Sequence, residues 1–109
     1  MRGTKLSELP KRRYEIAFQT EDNRETRIVF IGVAAFKCTH LPALTAGMIK
    51  ASYDKLIDVG RTAWLLESQQ LADGWMRGRP KIALRHFQIC FDDGPCYEFL
   101  CEGFQIDTP

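Results

Sequence analysis

The chain has 109 residues, of which 45% are hydrophobic, 11% aromatic and 27% charged, and its net charge is +1. This length fits one domain that buries roughly two-thirds of the surface its unfolded chain exposes, and the composition lies far from the low-hydrophobicity, high-charge corner of disordered chains. No apolar run reaches the ~20 residues of a membrane span and the N-terminus holds no h-region of a secretory signal, so a cytoplasmic address without a membrane partner is expected.

The first 13 residues carry five bases (Arg2, Lys5, Lys11, Arg12, Arg13) against one acid, Glu8, whereas the remainder holds ten bases and thirteen acids. Residues 1–13 therefore read as a basic, flexible arm and 14–109 as the folded domain. In Tyr14 to Thr20, the apolar Tyr14, Ile16 and Phe18 alternate with Glu15, Ala17 and Gln19. That is the period of a half-buried strand. Residues 21–24 supply turn chemistry, and Thr26 to Phe36 reads as the return strand of a hairpin, apolar on both faces from Ile28 onward, with Gly32 as a possible bulge site.

Between Leu41 and Asp58 the spacing changes to one turn of helix: Met48, Ile49, Ser52, Tyr53, Leu56 and Ile57 fall on one side, with Lys50, Asp54 and Lys55 opposite. Residues 61–74 suit a strand at Thr62 to Leu66, but their Ala, Leu, Glu and Gln content favours a helix closed by Gly74. Trp75 to Pro80 reads as a loop, with Trp75 expected to pack on the core while Arg77 and Arg79 stay in solvent.

Two strand-like runs, Lys81 to Phe91 and Cys96 to Ile106, flank Asp92-Asp93-Gly94-Pro95. A three-residue loop over 93–95 sets Phe91 against Tyr97, Ile89 against Phe99 and Phe87 against Cys101, an apolar match on one face. Asp92, Asp93 and Gly94 are then turn residues, without catalytic duty. On the opposite face the same register pairs His86 with Glu102, Cys90 with Glu98 and Gln88 with Leu100. The expected architecture is a single small α+β domain: an antiparallel sheet from two β-hairpins, with one or two short helices packed on it.

The candidate polar site is His86, Glu102, Cys90, Glu98 and Gln88, in which Glu102 orients the imidazole as acid, base or ligand. Cys38 and His40, two apart on a strand, could join His86 and Cys90 as soft donors for zinc, but the cysteines form no Cys-x-x-Cys knuckle. No metal is therefore expected. All four cysteines (Cys38, Cys90, Cys96, Cys101) are expected as free thiols, none of them in a setting that activates a nucleophile. No glycine-rich phosphate loop occurs, and no cofactor is expected. Arg77, Arg79, Lys81 and Arg85 form a basic patch beside Trp75, at most a weak nucleic-acid site together with the arm.

Catalytic spacing being absent, the favoured function is a small cytosolic, non-enzymatic interaction module acting through protein contacts. Edge strands and the two-faced apolar run 28–36 add the expectation of a homodimer. The alternative is a small-molecule- or metal-binding domain, enzymatic or not, around His86, Glu102 and Cys90.

Overall fold

A computed structural model describes residues 2–20, 22–40, 44–91 and 95–107. Among the described residues, eight strands, Arg2–Leu9 (β1), Arg13–Gln19 (β2), Glu25–Ile31 (β3), Ala35–Thr39 (β4), Ile57–Asp58 (β5), Arg85–Cys90 (β6), Cys96–Cys101 (β7) and Gly103–Asp107 (β8), accompany two helices, Ala46–Ser52 (α1) and Ala63–Trp75 (α2). The strands form two antiparallel four-stranded sheets, ordered β1-β2-β3-β8 and β4-β7-β6-β5. The α+β class is as expected.

The strands divide between two sheets because both long apolar runs bend. The run from Thr26 to Phe36 is cut after Ile31 by Gly32, whose φ of 65° is left-handed, and resumes as β4 in the other sheet. The run from Cys96 is cut at Glu102, where β7 passes into β8. Strands that switch sheets in this way make the corners of a sandwich. At this junction the Glu102 carboxylate occupies the space that a Cβ on residue 32 would fill, and it lies 3.6 Å from Arg12 Nη2.

The core lies between the inner faces. Ile16, Phe18, Ile28 and Phe30 from the first sheet meet Phe87, Ile89, Phe91, Tyr97 and Phe99 from the second. Phe30 stacks on Phe99 at 3.9 Å between ring centroids, and Phe18 meets Phe91 at 5.3 Å. The odd-numbered face expected of the closing hairpin is thus the core face.

Several expectations are corrected. The N-terminal segment is a strand: β1 pairs with β2 from Arg2 to Leu9 and Leu6 packs against the core. Its leucines, Leu6 and Leu9, stand three apart and show no strand period, so its basic residues read as an arm. The turn into β2 puts Lys11 and Arg12 at φ of 62° and 56°, held by Val33 N–H donating to Arg12 O at 2.8 Å. The helix expected over 41–58 is confined to α1, begun by Thr45, whose hydroxyl accepts from Met48 N–H, and followed by the two-residue β5. Helix α2 runs through Gly74 instead of ending there, with Met76 as its C-cap.

In the closing hairpin Cys90 lies opposite Cys96, Gln88 opposite Glu98 and His86 opposite Leu100, a slip of two residues from the expected register. Parity, and with it the choice of faces, is unaffected by a slip of two. Cys90 and Cys96 form a disulfide, whereas Cys38 and Cys101 are free. The turn residues Asp92, Asp93 and Gly94 lie outside the described residues.

Candidate functional site

The outer face of the second sheet carries His86, Gln88, Cys90, Glu98 and Leu100, and α1 and α2 cover it. Leu65 and Leu84 pack on Leu100, with Trp64, Ala72 and Ile82 around them. Beside this apolar contact runs a chain of hydrogen bonds. Leu65 N–H donates to Thr62 Oγ1 at 3.2 Å, Thr62 Oγ1 lies 2.8 Å from His86 Nδ1, and His86 Nε2 lies 2.9 Å from Glu98 Oε1. With a neutral imidazole, donor logic gives the chain one direction: Nε2–H donates to the carboxylate, and Nδ1 accepts from the Thr62 hydroxyl. Trp64 meets the imidazole edge-on at 5.1 Å, and Lys37 Nζ sits 4.0 Å from the centroid of the Trp64 ring.

A second chain lies under α1. Gln88 Nε2 donates to Ser52 Oγ at 2.8 Å, and Ser52 Oγ donates to Met48 O at 2.7 Å while lying 3.0 Å from Cys90 Sγ. Ser52 thus fastens the helix to β6.

Of the expected polar site, the structure brings together His86 and Glu98, and Gln88 with Cys90 through Ser52. Glu102 is not part of it. The two-residue slip and the bend after Cys101 carry it to the Gly32 junction, with its N–H on Ile31 O at 3.0 Å and its carboxylate beside Arg12. The partner of His86 is the diagonal neighbour Glu98, and Thr62 and Ser52 are the members that sequence reasoning missed. Thr62 carried a signal, as a threonine standing directly before a helical run; Ser52 on one side of α1 carried none.

Thr62, His86 and Glu98 repeat the order of a hydroxyl-activating triad. Here the hydroxyl is committed to capping α2, and His86 is only 4% exposed. The arrangement ties a helix to a sheet. Of the other expected ligands, Cys38 Sγ lies 3.8 Å from His40 Nε2 on the edge strand, away from His86 and Cys90, and burial raises its thiol above the ordinary value. Burial pushes the Cys101 thiol up to about 11, which makes it a poor nucleophile. Among the described residues no group of three or more His, Cys, Asp or Glu side chains could hold a metal ion.

The basic patch divides. Arg85 is committed to Asp58, donating to Oδ2 from Nε at 3.0 Å and from Nη2 at 2.7 Å, and these bonds lower the Asp58 carboxyl below its usual value. Arg77, Arg79 and Lys81 are exposed. Trp75 does not pack on the core: it is 83% exposed at the end of α2, and Leu71, one turn earlier, is 67% exposed. Between them Gly74 is open, with no atom within 4 Å of where a Cβ would stand. Gln70, Leu71, Gly74 and Trp75 line a shallow depression of about 370 Å³. No protein-family model matches this chain, and no curated protein or solved structure matches it.

Proposed function

We propose that the protein is a small, cytoplasmic, non-enzymatic interaction module, homodimeric, that docks a protein partner on the outer face of α2. The observation that carries this reading is the open Gly74 between exposed Leu71 and Trp75. Glycine inside a helix costs about 1 kcal/mol relative to alanine. Nothing inside the molecule needs the missing side chain, so the notch suits an approach from outside. The partner that fits is a protein segment with an apolar anchor for the notch and acidic residues for Arg77, Arg79 and Lys81. The polar chains beneath hold α2 and α1 in place.

A displayed random-peptide library panned on the full chain should enrich acidic peptides bearing Leu or aromatic anchors. Trp75→Ser and Gly74→Leu should each weaken their binding by about tenfold or more, and Gly74→Leu should not lower the melting temperature. Enrichment insensitive to both substitutions would overturn the reading. So would Trp75-dependent binding of a single-stranded oligonucleotide or of anionic vesicles in place of peptides.

The cytoplasmic address implies that the Cys90–Cys96 bond of the structure is reduced in cells, because disulfides are rare in that compartment, and this has its own check. Acid quenching of cells followed by alkylation under denaturing conditions should label all four cysteines. Label confined to Cys38 and Cys101 would move the protein to an oxidising compartment.

A further inference from the structure

We infer that β8 is the surface through which two copies of this chain associate, by antiparallel pairing across a two-fold axis at Gln105. The inference deepens the homodimer reading above and is independent of the α2 face. Each sheet ends in two edge strands, and a free edge invites another strand unless it is short, irregular or charged. Three of the four edges are defended in this way. β1 carries Lys5 and Glu8 and has a register irregularity between Arg2 and Lys5. β4 places Lys37 at its centre, and β5 is two residues long, one of them Asp58.

β8 has none of these devices before its last residue. Its sequence, Gly103-Phe-Gln-Ile-Asp107, exposes Phe104 at 37% and Ile106 at 57%. Both residues lie on the core face, since β8 pairs Phe104 with Phe30 and Ile106 with Ile28. The core therefore continues to the rim of the sheet and stops there uncovered.

The occupant is argued from the strand's own symmetry. Antiparallel pairing with a second β8 centred on Gln105 places Phe104 opposite Ile106 of the other copy and Ile106 opposite Phe104, with the two Gln105 residues facing each other on the polar side. Every apolar residue of the strand finds an apolar partner, whereas a one-residue slip would set Phe104 against Gln105. The result is a continuous eight-stranded sheet with a two-fold, isologous contact. A five-residue edge buries less than the about 1,000 Å² of a permanent interface, so association in the micromolar range is the expectation.

Light scattering of the full chain at about 50 micromolar, a concentration suited to so small an interface, should give twice the 12.5 kDa chain mass. Ile106→Lys supplies the missing charge at an exposed position and should weaken the dimer by about tenfold or more with an unchanged melting temperature in dilute solution. Gln105→Cys, in a Cys38→Ser background, should form an intermolecular disulfide, and Glu8→Cys in the same background should not. A monomeric mass throughout would overturn the proposal and leave docking on α2 standing. A dimer that Trp75→Ser dissociates and Ile106→Lys does not, or one cross-linked through residue 8 instead of 105, would overturn it equally.

Discussion

Phe99→Ala is expected to destabilise the protein by about 4 kcal/mol, near the upper end for the loss of a buried aromatic ring. Phe99 is fully buried on β7, a strand with neighbours on both sides. Its ring stacks on Phe30 across the sheets and meets Phe36 at 5.8 Å and Tyr14 at 6.3 Å, so removing it opens a void that four strands line and none can fill alone. Urea unfolding gives the number directly, and the slope should stay constant while the midpoint falls. Phe36→Ala, on a ring 39% exposed at the edge, is the comparison and should cost markedly less. Equal losses would mean that the sheets do not meet through Phe99.

That core was legible in the sequence wherever alternation was strict. Tyr14, Ile16 and Phe18, then Phe87, Ile89 and Phe91, and finally Tyr97, Phe99 and Cys101 all lie on the face assigned to them. The register was not legible, because a slip of two residues preserves the apolar pattern and binary patterning cannot see it. Facing cysteines were the available signal, since Cys90 and Cys96 close the hairpin in one register only. β1 shows no strand period, and its charge reads as an arm. The sheet switches at Gly32 and Glu102 break strands whose composition is continuous, and only the glycine marked one of them.

The site was legible in part, for a related reason. Reading the faces correctly placed His86, Gln88, Cys90 and Glu98 together, while the slip substituted Glu102 for Glu98 as the partner of His86. Helix contributions are long-range: Thr62 is 24 residues from His86 and Ser52 is 36 from Gln88, so even the N-cap signal of Thr62 did not reveal its partner. Trp75 was assigned to the core on its size. Helix α2 packs Trp64, Leu65 and Ala72 against the sheet, and Trp75, its last residue, stands 83% exposed.

The second large effect tests whether the Thr62–His86–Glu98 chain is a structural tie. Glu98→Leu is expected to cost about 3 kcal/mol, because it strands a buried imidazole donor in an apolar setting. Glu98→Gln keeps a carbonyl acceptor for Nε2–H at the same position and should cost about 1 kcal/mol. The difference separates a need for an acceptor from a need for a charge. Thr62→Ala should fall between them at about 2 kcal/mol, since it removes the α2 cap and the donor to Nδ1 together. Hydrogen exchange adds a readout that general destabilisation would not reproduce: Leu65 N–H, bonded to Thr62 Oγ1, should lose protection selectively in both Thr62→Ala and Glu98→Leu, ahead of the core strands. Nitrogen NMR of His86 should show the proton on Nε2, as the bond to Glu98 requires. A proton found on Nδ1, or losses as large for Glu98→Gln as for Glu98→Leu, would show that the carboxylate does more than accept a hydrogen bond, and the chain would then have to be read as a working acid–base site.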